Sequence, residues 1–152
     1  MATSTPNAAD LLLQPWDILI LGSGSAALCA ALSATESASP PPRILLVDKA
    51  PLEWAGGNGY FTAGAYRTQH DGLEDLLPVV SNVSEEMVGK IDLPAYSRED
   101  FAGDLERVTE GRSSKVLGRY VVGESLETVR WLKGWVVDWW LRFRRQAYFG
   151  EG

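Results

Sequence analysis

Two glycines, a small residue and a carboxylate form the part of this sequence whose residue types and spacing indicate chemistry. Gly22 and Gly24 follow an apolar run and precede an alanine-rich run, and Ala27 completes a GxGxxA pattern. Gly22 allows a sharp turn, Gly24 lets phosphate oxygens approach the backbone, and Ala27 keeps helix and strand in close contact. Asp48 ends the next apolar run, where a carboxylate accepts hydrogen bonds from ribose hydroxyls. These residues predict a site for the pyrophosphate and ribose of a dinucleotide.

Such a site needs two parallel strands and a helix to position it. The continuous apolar run Ile18–Leu21 predicts a strand buried on both faces, and residues 43–47 predict a second buried strand. Between them, the small residues of 26–38 predict a helix whose N-terminus presents N–H groups to the pyrophosphate. The prolines at 40–42 break that helix and explain why Asp48 lies farther along than the usual spacing of about 20 residues. The predicted fold class is α/β, with a Rossmann-like βαβ unit and following helices.

A second glycine-rich segment, AGGNG at 55–59, follows Asp48. Its flexible backbone suits a second contact with a cofactor, and the Asn58 amide both donates and accepts hydrogen bonds. Taken alone, such a segment is also typical of a plain turn. A carboxylate at position 48 repels a 2′-phosphate and so disfavours NADP, although a solvated acid at a strand end remains the alternative.

These motifs together resemble a known family. The run 22–27, the Val-Asp-Lys at 47–49 and GGNGYFTAGAYR at 56–67 are similar to the N-terminal part of FAD-dependent oxidoreductases of the fumarate reductase and succinate dehydrogenase flavoprotein family, in particular its tricarballylate dehydrogenase-like branch. The likeness includes His70, Gly72 and the acidic-hydrophobic stretch 74–76, and it extends to about Trp140.

The resemblance implies the FAD-binding portion of an oxidoreductase with non-covalent FAD. The reaction it implies is hydride transfer between the flavin and a CH–CH or alkene substrate, a small di- or tricarboxylate. Of the implied residues, Gly22, Gly24 and Ala27 hold the pyrophosphate and Asp48, in place of the usual Glu, holds the ribose. Residues 57–59 lie along the flavin. The full set of implied cofactor-binding residues is Gly22, Ser23, Gly24, Ser25, Ala26, Ala27, Asp48, Lys49, Gly57, Asn58 and Gly59.

The family also has a cap domain with a catalytic arginine and C-terminal strands, neither of which is visible in this sequence. We therefore expect residues 16–152 to be the truncated N-terminal part of an FAD-binding domain, after a disordered lead-in at 1–15, with a missing portion or partner chain. No catalytic residue or metal ligand is assigned. Two alternatives stay open: a catalytically inactive remnant with weak or no nucleotide binding, and an NAD-binding module.

The amino-acid composition argues against some classes of binding partner. The net charge of −6 argues against nucleic acid, which requires a basic face. No apolar run approaches the roughly 20 residues of a membrane span, and no targeting signal is visible, so we expect a cytoplasmic protein. Cys29, the single cysteine, is interpreted as a small core residue and not as a reactive thiol.

The sequence from Ser97 onwards predicts two further helices. A capping box at Ser97 and Asp100 predicts a helix over Arg98–Thr109. A second helix is predicted over 114–133 and ends at Gly134. Three tryptophans spaced four residues apart predict one helical stripe, which we expect to contact a following domain. The apolar face predicted for this helix comprises Leu117, Val121, Leu126, Val129 and Leu132. The stripe comprises Trp131, Trp135 and Trp139.

Two further residues have two interpretations each, and one arginine cluster has a single interpretation. His70 is either a proton donor or flavin neighbour, or a structural or solvent-exposed residue. Arg67 pairs either with a cofactor phosphate or with an acid in an exposed salt bridge. Arg142, Arg144 and Arg145 are interpreted as a solvated basic face.

Overall fold

A parallel pair of strands joined by a helix begins the fold. In the computed structural model, which describes residues 7–135 and 137–142, strand β1 (Ile18–Leu21) pairs in parallel with β2 (Ile44–Val47). The register places Ile18 opposite Ile44 and Leu21 opposite Val47. Helix α2 (Ser25–Glu36) connects the strands and contacts β1. The protein is thus mixed α/β with a small two-stranded parallel sheet, as far as the described residues show.

A short helix precedes β1, in the segment expected to be disordered. Helix α1 comprises Ala8–Leu12, and the Asn7 side chain caps it by accepting a hydrogen bond from the Ala9 N–H at 3.2 Å. The Trp16 indole donates to the Leu11 carbonyl at 2.7 Å. An N-cap and a local side-chain hydrogen bond therefore stabilise α1, a helix that the composition of this part of the chain does not predict.

The two strands are less buried than predicted. Leu19 and Leu21 are 59% and 77% exposed, whereas Ile18 and Ile20 are half-buried. Because side chains alternate along a strand, Leu19 and Leu21 share one face of the sheet and the isoleucines share the other. The prediction of full burial is wrong, since α2 packs on β1 and the described part of this unit leaves one face of that strand exposed. Cys29, in α2, is half-buried.

The glycine-rich segment after β2 is more regular than the flexible segment or plain turn predicted at 55–59. Two 3-10 helices form, at Leu52–Trp54 and Gly57–Phe61. The chain divides at this point into two compact units, residues 1–65 and 66–152.

The second unit is helical. It contains α3 (Leu73–Leu76), α4 (Glu85–Val88), α5 (Arg98–Thr109), α6 (Lys115–Gly123) and α7 (Ser125–Trp135). Its core is a cluster of buried side chains from α3, α7 and the turn after α3. The cluster comprises Leu76, Val79, Leu126 and Val129.

The α5 prediction is confirmed at both ends. Ser97 accepts a hydrogen bond from the Asp100 N–H at 3.1 Å, and Asp100 accepts one from the Ser97 N–H at 3.0 Å. This reciprocal pair satisfies two donors that a helix start otherwise leaves free. Glu110, in the left-handed region at φ 52°, ends the helix.

The single helix predicted over 114–133 is two helices, with a break at Glu124. Buried Ser125 accounts for the break. Its hydroxyl donates to the Val122 carbonyl at 2.9 Å and accepts from the Gln69 N–H at 3.1 Å. Such side-chain bonds compete with the hydrogen bonds between backbone groups of the helix.

The predicted apolar face is correct for Leu126 and Val129 in α7. In α6 the buried residue is Val122, while the predicted Leu117 and Val121 are exposed.

The tryptophan stripe does not form as predicted. Helix α7 continues through Gly134 to Trp135, but Trp139 lies beyond its end and forms a parallel bridge with Val80. The Trp139 indole donates to the Val129 carbonyl at 3.1 Å, and its side chain packs on the unit's own core. Of the arginine cluster, Arg142 is exposed, and Arg144 and Arg145 lie outside the described residues.

No helix among the described residues is both long and apolar enough to cross a membrane.

Candidate functional site

The turn after β1 requires glycine. Gly22 has φ +105°, a conformation that residues with a Cβ rarely adopt, and its N–H donates to the Val47 carbonyl at 2.7 Å. This bond extends the β1–β2 pairing by one residue and brings the next residue, Ser23, to the end of β2. A Cβ at Gly22 would meet nothing within 4 Å, so the space beside the turn is open.

The carboxylate of Asp48 accepts hydrogen bonds from Ser23, the residue that follows the turn. One carboxylate oxygen, Oδ2, accepts hydrogen bonds from the Ser23 N–H at 2.7 Å and from the Ser23 hydroxyl. The other, Oδ1, accepts from the Ala50 N–H at 2.8 Å. The bond from the Ser23 hydroxyl, followed by that from the Ala50 N–H, lowers the pKa of Asp48 below its ordinary value. The carboxylate is therefore ionised at neutral pH and exposed at the end of β2.

The first turn of α2 presents backbone donors beside small residues. Gly24 is the N-cap at φ −72°, and the helix begins at Ser25, followed by Ala26 and Ala27. In residues 7–135 and 137–142, no side chain accepts a hydrogen bond from the N–H of any of these three residues. Unpaired N–H groups at the positive end of a helix dipole attract anions, phosphates in particular. The predicted helix start at Ala26 is correct to within one residue.

The second glycine segment packs against the first. The Gly56 N–H donates to the Ser23 hydroxyl oxygen at 2.8 Å. A Cβ built on Gly57 would lie 3.0 Å from the Gly24 Cα, so the two backbones touch at this point. Gly56 and Gly57 have φ +114° and +61°, which only glycine adopts without strain.

The contact continues one residue farther into α2. A Cβ on Gly59 would lie 3.2 Å from the Ser25 Oγ. The 3-10 helix Gly57–Phe61 thus starts alongside the N-terminus of α2. Asn58, within it, is exposed, as is Lys49 after Asp48.

The structure therefore brings most of the predicted residues together. Gly22, Ser23, Asp48 and the 57–59 segment are joined by direct contacts, and Ala26 and Ala27 form the adjoining first helical turn. Gly56 lies in the predicted 55–59 segment but was not among the implied cofactor-binding residues, and its N–H bond to Ser23 links the two segments. The pair of adjacent glycines at 56 and 57 was the available signal, because tandem glycines permit the two successive positive φ angles seen here.

Arg67 and Asp104 form an ion pair within the second unit. Arg67 Nη1 donates to Asp104 Oδ2 at 2.6 Å and to the Tyr96 hydroxyl at 3.1 Å. Tyr96 in turn donates to Asp104 at 2.8 Å. Arg67 is 60% exposed, so the interpretation as an exposed salt bridge is confirmed.

His70 is buried, at 8% exposed, in the second unit. Its backbone pairs with Tyr96 in both directions, at 3.0 and 2.8 Å. The ring Nδ1 has no hydrogen-bond partner among the described residues. Burial lowers the pKa of His70, and the charges of Asp75 and Asp71 act in the opposite direction. A neutral imidazole packed in the interior accords with a structural role.

Comparison of the chain with protein-family models, with curated protein sequences and with solved structures finds no match.

Proposed function

We propose that this chain is the FAD-binding portion of a flavoprotein oxidoreductase and that α2 receives the pyrophosphate of FAD in a Rossmann-like βαβ unit. One observation supports the proposal above all others. The first turn of α2 follows Ser23, which is bonded to a carboxylate at the end of β2, and Gly24, which contacts the second glycine segment.

The residues present fit a pyrophosphate. A Cβ on Gly24 would lie 3.8 Å from backbone atoms of Gly56 and Gly57, in ordinary van der Waals contact, so the absent side chain leaves the space of about one methyl group, which suits one phosphate oxygen. The N–H groups of Ser25, Ala26 and Ala27 would donate to the phosphate oxygens.

Asp48 retains the capacity to bind ribose. The two oxygens of a carboxylate together offer about four lone pairs, and Oδ1 accepts the Ala50 N–H. A ribose hydroxyl would donate to the remaining lone pair. The negative charge would repel a 2′-phosphate, so NADP is disfavoured as a ligand.

The chemistry of the proposed enzyme belongs to its cofactor. FAD, when bound, supplies hydride transfer, while the protein supplies binding and orientation. The proposed substrate class, small di- or tricarboxylates, rests on the resemblance of residues 22–27, 47–49 and 56–67 to the flavoprotein family. Non-covalent attachment of FAD and completion of the active site by a further portion or a partner chain rest on the same resemblance.

A binding measurement tests the proposal. The full chain is purified, its visible spectrum is recorded, and calorimetric titrations are run with FAD, ADP and NAD. We expect flavin absorption bands and binding of both FAD and ADP. A colourless protein that binds none of the three would contradict the proposal and favour an inactive remnant. Binding of NAD in preference to FAD would favour an NAD-binding module.

A variant of Gly24 locates the binding site. Gly24→Ala is compatible with φ −72° and has space in the free protein, but the methyl group occupies the position proposed for phosphate oxygens. Loss of one hydrogen bond to a charged group costs about 1.5–3 kcal/mol, so FAD and ADP affinities should fall about tenfold or more. Gly89→Ala is the matched control, because Gly89 has φ −70° and open space around its Cα. Equal affinities of the two variants would place the ligand elsewhere.

A further inference from the structure

The hydroxyl of Ser23 can direct its proton in one way only. It is hydrogen-bonded to the Asp48 carboxylate and to the Gly56 N–H, the latter at 2.8 Å. A backbone N–H can only donate, and an ionised carboxylate can only accept. The hydroxyl therefore accepts from Gly56 and donates to Asp48, so its proton points at the carboxylate before any ligand binds.

Asp48 is exposed, yet its carboxylate is held through both oxygens. Oδ2 accepts the Ser23 N–H at 2.7 Å and the Ser23 hydroxyl, and Oδ1 accepts the Ala50 N–H at 2.8 Å. Donors on both oxygens oppose rotation of the carboxylate about the Cβ–Cγ bond. Ser23 and Ala50 are half-buried, so the groups that hold the carboxylate are anchored in the fold. The Ser23 hydroxyl is also the largest cause of the lowered pKa of Asp48 and therefore stabilises its charged form.

The carboxylate has capacity for a further donor. Its two oxygens together offer about four lone pairs, and Ser23 and Ala50 supply three hydrogen bonds. Gly22, which precedes Ser23, has open space where a side chain would stand, since a Cβ there would meet nothing within 4 Å. A ligand hydroxyl would therefore bind Asp48 in addition to these donors and would not have to displace them.

Resting on the proposed function, we propose that Ser23 is a positioning residue whose hydroxyl orients Asp48 towards the ribose 2′-hydroxyl and so sets the preference for a ribonucleotide over its 2′-deoxy form. A carboxylate at the end of the second strand of such a unit binds that hydroxyl. Because its rotation is already restricted, the carboxylate loses less freedom when it binds the ribose. Ser23→Ala would leave only the Ser23 N–H on Oδ2, and the carboxylate would rotate more freely. Ser23 thus acts through Asp48.

The test compares ADP with 2′-deoxy-ADP by calorimetric titration of the full chain. ADP should bind the unaltered chain about tenfold or more tightly, because 2′-deoxy-ADP lacks one hydrogen bond to a charged group. Ordering one side chain costs a factor of about 2 to 10 in affinity, so Ser23→Ala should narrow the ratio of the two affinities by that factor. Ser33→Ala, which removes an exposed hydroxyl from α2 outside the site, is the matched control and should leave the ratio unchanged.

The ratio separates positioning from a purely structural role. Ser23→Ala also frees the Gly56 N–H and so loosens the second glycine segment, which contacts the loop at Gly24. Both nucleotides carry the same phosphates, so this loosening lowers both affinities by the same factor and leaves the ratio unchanged. Ser23→Thr keeps the hydroxyl and should keep the ratio, since Ser23 lies outside the left-handed region of backbone conformation.

Two further variants check that Ser23 acts through Asp48. Asp48→Ala should bring the ratio close to one, and adding Ser23→Ala to it should change the ratio no further, because the two substitutions remove the same interaction. Ser23→Cys provides the comparison if Ser23→Ala fails to fold. A thiol is only a weak hydrogen-bond donor, so this variant should also narrow the ratio.

The other results overturn the inference in distinguishable ways. An equal loss of both affinities in Ser23→Ala would mean that the hydroxyl only stabilises the fold. A gain in ADP affinity would mean that the hydroxyl competes with the ribose for Asp48. Equal binding of the two nucleotides by the unaltered chain would show that Asp48 does not bind the 2′-hydroxyl, while the proposed function would still stand. If the unaltered chain bound neither ADP nor FAD, the proposed function would fail and this inference with it.

Discussion

The carboxylate of Asp48 accepts two hydrogen bonds from Ser23, one from its backbone N–H at 2.7 Å and one from its hydroxyl. The same hydroxyl accepts the Gly56 N–H at 2.8 Å. Ser23 therefore links the end of β2 to the second glycine segment. Asp48 has a structural role in the free protein as well as the ligand-binding role proposed for it, and its substitution should affect both.

Ionisation of Asp48 should make stability depend on pH in the acid range. The bonds from Ser23 and Ala50 lower the pKa of Asp48 below 3.8 in the folded state. Its stabilising contribution is therefore fully present above the unfolded-state pKa of about 3.9 and is lost as the pH falls through the folded-state pKa. Asp48→Asn should show a lower urea midpoint at pH 7 and a weaker fall in that midpoint between pH 5 and pH 3. Glu53→Gln, which removes another exposed acid of the same unit, is the control, and an unchanged pH profile for Asp48→Asn would contradict the prediction.

Removing the Ser23 hydroxyl should loosen the contact between the two glycine segments. Ser23→Ala leaves the half-buried Gly56 N–H without its acceptor, at a cost of about 1 kcal/mol. Urea denaturation followed by circular dichroism would measure this loss. Ser33→Ala, on the exposed side of α2, should cost much less. Equal unfolding free energies for the two variants would mean that the hydroxyl bridge does not stabilise the fold.

A pair of glycine substitutions separates backbone strain from close packing. Both Gly57 and Gly64 have positive φ, +61° and +71°, so alanine at either position costs about 1–2 kcal/mol of backbone strain. At Gly64 a Cβ would meet nothing within 4 Å, but at Gly57 it would lie 3.0 Å from the Gly24 Cα. Gly57→Ala should therefore be the more destabilising variant and should also weaken FAD binding. Comparable unfolding free energies would show that the two segments separate readily.

Buried His70 should make stability fall as the pH drops below neutral. Its folded-state pKa is lowered from 6.5, mainly because burial disfavours the charged ring. The unfolded state therefore binds the proton more readily, and stability is lost as the pH falls from about 6.5 towards the folded-state pKa. His70→Phe removes the titrating group and the unpartnered Nδ1, so its urea midpoint should be flatter across this range. The chain has 1 histidine, which makes the assignment direct, and an identical slope in both proteins would contradict it.

Local patterns in the sequence predicted several elements because the physical cause lies within a few residues. Strand β1 follows from a continuous apolar run, and α5 follows from a capping box whose two hydrogen bonds join Ser97 and Asp100. Gly22 was identified because a sharp turn out of a strand needs a residue without a Cβ. In each case, neighbouring residues suffice to determine the conformation.

Tertiary contacts decided the features that the sequence did not predict. The break between α6 and α7 depends on Ser125, whose hydroxyl accepts the N–H of distant Gln69, and the course of the chain at Trp139 depends on its bridge to Val80. Burial of β1 also could not be predicted, because exposure of Leu19 and Leu21 depends on which elements cover each face of the sheet. The sequence alone determined the glycines and the carboxylate of the candidate site. Only the tertiary structure showed that Ser23 and Gly56 join them, because hydrogen bonds between residues far apart in the chain leave no periodic pattern in the sequence.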